Sequence, residues 1–157
     1  MKGVPQIIEA LNEVLTAELT AINQYYIHAK MCQNWGYKKL YAWKRKESIE
    51  EMKDADLVID RILYLDGVPN MQRYNPVRVG ENAVEQHTLD LALETGAIER
   101  LNKYIKLARD KGDNGTAEML ETILKGEEHS ANELEEHLHV VSEIGKENYL
   151  AQQIYDE

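Results

Sequence analysis

The chain has 157 residues, enough for one domain with a substantial core, and carries a formal charge of −10 from 28 acidic and 18 basic side chains. That balance argues against nucleic acid or an anionic membrane as the main partner and suits a protein that gathers cations. Cys32 stands alone, which excludes an internal disulfide and a cysteine zinc cluster. No apolar run has the length of a signal peptide or of a bilayer span, so a soluble cytoplasmic protein is expected.

Apolar residues recur at three- and four-residue steps through four long segments, with little period-two alternation, and this predicts helices. The first runs from about Pro5 to Asn34, the second from about Lys38 to Asp66, the third from about Asn82 to Lys111 and the fourth from about Thr116 to Ile144. Each spans roughly 40–45 Å at 1.5 Å per residue. The joints at Trp35-Gly36-Tyr37 and Lys111–Gly115 are short, so helices one and two should lie antiparallel, as should three and four. Between the pairs lies DGVPNMQRYNPVRVG, long and punctuated by Pro69 and Pro76; Asn82, with Glu85 three residues on, reads as the cap that opens the third helix. After Gly145, ENYLAQQIYDE can form a short fifth helix. The expected fold is all-α: a single domain over residues 1–157, a ferritin-like four-helix bundle with a long crossover between helices two and three.

Tracing the core stripe of each helix exposes carboxylates among the apolar residues. Glu18 falls between Leu15 and Ile22, and Glu94 precedes Ile98 and Leu101. Glu127 follows Ile123 and Leu124, and the stripe of the second helix passes from Val58 through Asp54 or Ala55 to Glu51 and Glu47. An unpaired ionised carboxylate inside a bundle is costly, so one near the middle of every helix implies a shared cation. The known ligand plan of ferritin-like di-iron proteins takes a Glu from each of two helices and a Glu-x-x-His from each of the other two. Glu18 and Glu94 fit the single positions; Glu51-x-x-Asp54 and Glu127-x-x-Ser130 fit the paired ones, and both lack the histidine. His129 does not replace it, because one residue turns a helix by about 100°. The one intact Glu-x-x-His, Glu136 to His139, lies more than two turns further along and reads as a solvated face or a subunit contact.

With these residues in view, the chain resembles the bacterioferritins over essentially its whole length. The resemblance is carried by MKGVPQIIEALNEVLTAELTAINQYYIHA, by ESIEEMKDAD, by DLALETGAIERL around Glu94 and by ENYLAQQI. It implies a cytoplasmic iron-storage shell of twenty-four subunits, a haem of b type at each two-fold axis, and a di-iron ferroxidase centre in each active subunit. It places the ferroxidase ligands at Glu18, Glu51, Glu94 and Glu127, with Tyr25 beside them, and it puts Asp54 and Ser130 where the family has its two histidines. Lys46 and Glu50 fall where some members hold iron on the inner surface with a His/Asp pair. Met52 falls on the axial haem ligand, which two subunits would supply. Independently, Ile49, Met52, Ile59 and Leu63 form a second apolar stripe, about 100° round from Glu51, so this helix should be buried on two sides. A thioether also suits haem iron as a ligand.

Without its histidines the cluster is all oxygen: Glu18, Glu51, Asp54, Glu94 and Glu127. Such a set suits iron or another divalent cation, but it is poorly made to hold two irons for rapid reduction of oxygen. Weak or absent ferroxidase activity is expected of this chain alone, and co-assembly with a second, ferroxidase-competent bacterioferritin subunit. A small iron–sulfur ferredoxin is the expected electron donor near the haem, by a loose match at Val68, Pro69, Glu81 and Glu85. The alternative is a self-sufficient ferroxidase with a carboxylate-rich centre; a third reading is a structural shell subunit that binds neither haem nor metal. A DNA-protecting mini-ferritin does not fit a chain with a fifth helix and no basic tail, and a rubrerythrin-like iron–cysteine site needs more than one Cys. His28 and His87 read as hydrogen-bonded surface or interface groups, Cys32 as a small buried apolar residue, and Glu133, Glu135 and Glu136 as a solvated run.

Overall fold

The computed structural model describes residues 1–155, which form five helices: α1 Pro5–Trp35, α2 Lys38–Tyr64, α3 Ala83–Asp110, α4 Asn114–Ile144 and α5 Lys146–Ala151. The expected all-α bundle is present, with α1 packed along α2 and α3 along α4, and with α5 resting on α4. Among the described residues no helix is long and apolar enough to cross a membrane.

The helix ends follow from local chemistry. Pro5 opens α1, where its missing N–H costs nothing, and Gly36 closes it at φ 88° while Tyr37 N donates to Cys32 O at 2.9 Å. Asn82 caps α3 as expected, accepting from Glu85 N at 2.9 Å. The fourth helix begins two residues earlier than its pattern suggests. Asp113 is the reason: it accepts both the backbone N–H (3.1 Å) and the hydroxyl (2.6 Å) of Thr116, and it pairs with Arg61 of α2 at 2.8 Å.

The crossover, residues 65–82, is strapped to α1 by a stripe of polar side chains at four-residue steps. Asn12 accepts from Asn70 N (2.8 Å), Thr16 from Arg73 Nε (3.1 Å) and Thr20 from Asn75 N (2.9 Å). Gln24 then accepts from Arg78 N (3.2 Å) and His28 Nε2 from Gly80 N (3.0 Å). A segment without secondary structure thus has four of its backbone N–H groups, and the Arg73 side chain, answered by one face of a helix.

The bundle is layered along its axis. One end is an apolar core containing Ile7, Leu11, Val14, Leu15, Val58, Ile62, Leu101, Leu120 and Ile123. At the far end Cys32, Leu40, Ala83 and Tyr149 form a smaller cluster that seats α5, so Cys32 is buried as expected. Polar layers lie between these two ends, where α1, α2, α3 and α4 turn charged side chains inward.

Candidate metal centre

Glu18 of α1, Glu51 and Asp54 of α2 and Glu127 of α4 each offer an oxygen, and these oxygens all lie within 4.8 Å of one another. Glu94 of α3 borders the set through Glu127 and accepts the Tyr25 hydroxyl at 2.6 Å. Glu18, Glu51, Glu94 and Glu127 are all buried, as is Tyr25, and Asp54 is half-buried. The five carboxylates and the tyrosine picked out in the sequence are therefore neighbours. Ser130 is not part of the set: its hydroxyl donates to Glu47 Oε2 at 2.8 Å, on the flank of the cluster.

Burial is the first cause that drives these carboxyls upward, and mutual repulsion adds to it. Glu18, Glu51 and Glu127 are held well above the ordinary carboxylate range, Glu94 is raised, and Asp54 is pushed up to about 6. Glu18 meets Glu51, and Glu127 meets both Asp54 and Glu94, as carboxyl pairs close enough to share a proton. One oxygen each of Glu18, Glu51 and Glu94 is buried without a hydrogen-bond partner. Acceptors of this kind, converging from four helices, fit a divalent cation, which would satisfy them and displace the protons.

Asp54 binds its proton more tightly in the fold than at its ordinary value of 3.8. Its contribution to the metal-free protein is therefore fully present below that value and is lost as pH rises through about 6. Asp54→Asn is expected to stabilise the metal-free protein at neutral pH by about 2 kcal/mol and to flatten the fall in stability between the two values. Thermal melts at a series of pH values, run in chelator, check this.

The cluster is reachable from two sides. A cavity of about 240 Å³ opens between α1, α3 and the crossover, with Glu18, Glu51 and Glu127 in its wall and Arg78 and Arg100 beside them. A second, of about 340 Å³, opens between α2 and α4 and is lined by Glu47, Glu51, Asp54, Glu127 and Ser130. His129 lies at this second opening, paired with Glu133 at 2.7 Å, and does not join the cluster. Glu136 and His139 are exposed: Glu136 accepts from Asn132, and His139 faces Glu143.

One layer away is an ion pair that the sequence reading missed. Lys44 is fully buried and donates to Asp90 Oδ2 at 2.6 Å, while Asp90 Oδ1 accepts from Gln24 (2.9 Å) and from His28 Nδ1 (2.9 Å). Since His28 Nε2 accepts from Gly80, its ring proton sits on Nδ1, facing Asp90. Burial pushes the Asp90 carboxyl up, but Lys44 and His28 outweigh it and hold it low. The expectation that His28 and His87 are surface or interface groups is corrected here, because both are fully buried. His87 shares the Tyr149 hydroxyl of α5 (2.8 Å) with His137 (2.6 Å), and Trp43 stacks on His137 at 4.1 Å. Burial, reinforced by Lys44, holds both imidazoles below their ordinary range. Only the four-residue polar stripe on α1 pointed to His28, and nothing local pointed to Lys44.

On another face of α2, Met52 is 51% exposed beside Ile49 (36%) and Leu63 (55%), with Ile59 half-buried, so the second apolar stripe lies open on the single chain. Val68 and Pro69 sit at the Asn12 end of the crossover, whereas Glu81 and Glu85 lie beyond its His28 end.

The ferritin-like domain model matches residues 8–144. Among curated proteins, the bacterioferritin of Mycobacterium bovis is 45% identical over 152 residues, covering 97% of this chain and 96% of its own. The bacterioferritin of Streptomyces coelicolor is 46% identical over 151 residues, or 96% and 90% of the two chains. That of Brucella melitensis is 38% identical over 149 residues, or 95% and 92%.

Proposed function

This chain belongs to the bacterioferritins, an iron-storage branch of the ferritin-like proteins, and we propose that it is a haem-carrying shell subunit whose iron-oxidising centre has become a carboxylate cation site. The observation that carries the reading is the composition of the centre. Glu18, Glu51, Asp54 and Glu127 converge, Glu94 and Tyr25 stand beside them, and no imidazole nitrogen is aimed at the cluster among the described residues. Fe²⁺ is the substrate here. The carboxylates take it up by exchanging their shared protons for the metal, but without nitrogen donors they neither fix two irons rigidly nor tune them for rapid transfer of electrons to oxygen.

The uncovered stripe around Met52 fits a haem: an exposed thioether flanked by Ile49 and Leu63 offers a soft ligand and an apolar bed for a porphyrin. Bound there, a haem supplies a one-electron carrier. The residues of this chain would do the rest: Ile49, Ile59 and Leu63 would exclude water and Met52 would hold the iron. A two-fold related copy would bring the same patch face to face, within a shell of twenty-four subunits in the cytoplasm. The reading includes a second, oxidase-competent subunit in the same shell and a small iron–sulfur ferredoxin as electron donor.

Two measurements test it. Oxygen-dependent Fe²⁺ oxidation by the pure single-chain assembly should match buffer; a fast phase saturating at roughly two irons per subunit, the stoichiometry of a two-metal centre, would favour the self-sufficient ferroxidase instead. Haem titration should give a Soret band that Met52→Leu abolishes while the assembly keeps its size. A band retained in that variant removes Met52 as the ligand.

A further inference from the structure

The short fifth helix turns on a single glycine and anchors chiefly through one ring. Gly145 alone separates α5 from α4, at φ 85° and ψ 153°, a backbone conformation that glycine reaches without strain. A Cβ there would meet nothing, so glycine serves the bend and not a close contact. Tyr149 is buried in the cluster with Cys32, Leu40 and Ala83, and Lys39 N donates to Gln153 O at 3.0 Å just beyond the helix.

The Tyr149 hydroxyl stands between imidazoles from two other helices, His87 Nε2 of α3 at 2.8 Å and His137 Nδ1 of α4 at 2.6 Å. A hydroxyl donates once, so it satisfies the pair when one ring donates to it and the other accepts, both rings being neutral. Protonation breaks this arrangement. Both rings would then donate, and the phenol proton would lose its acceptor. His87 is fully buried and its Nδ1 has no hydrogen-bond partner, so the second N–H of an imidazolium there would also go unanswered.

The surrounding charges act mostly in the same direction. His87 faces Lys44 of α2, His137 of α4, His28 of α1 and the Tyr149 hydroxyl of α5, and none of these is an anion. His137 faces Lys44 and Lys39 of α2, with Glu133 and Glu136 of its own helix as partial compensation. The Trp43 ring lies 4.1 Å from His137 and 5.3 Å from His87, with Lys44 Nζ 4.6 Å above it. A proton on either imidazole therefore adds charge to a buried layer that already holds a lysine.

We propose that His87 and His137 form an acid-released latch on α5: as they take up protons they let go of Tyr149, and α5 swings away about Gly145 and uncovers Cys32. The latch shares no residue with the carboxylate cluster or the Met52 stripe. Docking is at full strength above the imidazoles' ordinary 6.5 and is lost as pH falls from there through the lower values of the docked state. Each imidazole that gains a proton on opening raises the opening constant by up to about tenfold per pH unit. Cys32 is fully buried and is the chain's one thiol, so its reactivity reports the swing.

Hydrogen exchange of the intact assembly, read by mass spectrometry between roughly pH 7.5 and 5 and corrected for intrinsic rates, provides the test. Residues 146–155 should lose protection at least about tenfold relative to residues 114–144 as pH falls through this range. Over the same range, Cys32 should gain reactivity toward 4,4′-dithiodipyridine by a similar factor relative to free cysteine. His87→Gln with His137→Asn keeps an amide near each nitrogen that meets Tyr149 but binds no proton. This double variant should stay docked and its thiol shielded at the acid end. Should it be undocked already at neutral pH, each single variant, with one titrating ring, should show about half the wild-type slope on a logarithmic scale. Protection of 146–155 that does not fall relative to α4 in wild type overturns the latch. So does an equal fall in the histidine variants, or a thiol that stays shielded while 146–155 exchange.

Discussion

Asp54→His combined with Ser130→His is expected to give the single-chain assembly a rapid phase of Fe²⁺ oxidation that wild type lacks, faster by at least roughly tenfold, which corresponds to ~1.4 kcal/mol off the barrier. The carboxylates that such a centre needs already converge, with Glu18, Glu51 and Glu127 in place and Glu94 held by Tyr25. Room for the rings exists as well, because residues 54 and 130 both line the cavity between α2 and α4, and Asp54 is only half-buried. Two neutral imidazoles would replace one carboxylate and one hydroxyl, which removes a charge from a site where burial, with Glu50 and Glu47 adding to it, now pushes Asp54 up to about 6. Either single substitution should do much less, because a two-metal centre needs both irons anchored. Stopped-flow absorbance at a few irons per subunit reads the phase. A double variant that folds, assembles and stays as slow as wild type would place the defect outside positions 54 and 130. Lys46, a cation on the same cavity, would be the next residue to exchange.

Lys44→Met is expected to destabilise the protein by roughly 3–5 kcal/mol, the cost of leaving one member of a buried ion pair alone. Lys44 and Asp90 are both fully buried, their charged atoms are 2.6 Å apart, and the methionine fills most of the lysine's volume. What is lost is therefore the charge on Nζ. Asp90 would keep only Gln24 and His28 as donors. Lys44→Met with Asp90→Asn removes both charges and should recover a large part of the loss, a coupling that a double-mutant cycle in denaturant measures. The pH dependence has the opposite sign to that of the carboxylate cluster. Asp90 is held below its ordinary 3.8, so its contribution is present above that value and is lost as pH falls through the lower, folded one. In Lys44→Met that acid-side loss should shrink. If the single variant melts like wild type, the pair contributes nothing net and the layer is held by its neutral hydrogen bonds.

The two buried charge layers differ in how far the sequence betrayed them. Glu18, Glu94 and Glu127 interrupt apolar stripes that can be followed on both sides, so their inward orientation follows from helical period alone. Lys44 and Asp90 have no such signature. Lys44 sits in WKRKE, where any polar residue reads as solvated, and its burial depends on α2 meeting α3 at the level of Asp90. The same holds for His87 and His137, which meet only because α5 folds back to place Tyr149 between them. Glu47 lay on the traced stripe, yet its partner was not apparent, because Ser130 lies on a distant helix.

Local sequence determined the helices and their ends, the antiparallel hairpins, the long crossover and the convergence of acidic residues near the bundle's middle. The helices, their ends and the inward face of each carboxylate rest on interactions within a few residues: period 3.6, caps at Asn82 and Asp113, the positive φ at Gly36 and the prolines of the crossover. The absence of histidine at positions 54 and 130 is likewise a fact of sequence, and it governs the chemistry assigned to the centre. Only the tertiary structure decided which polar residues lose their water. Whether Lys44, His28 or Glu47 is buried depends on a partner more than twenty residues away in each case, and pairing energies of that kind leave no period in the chain.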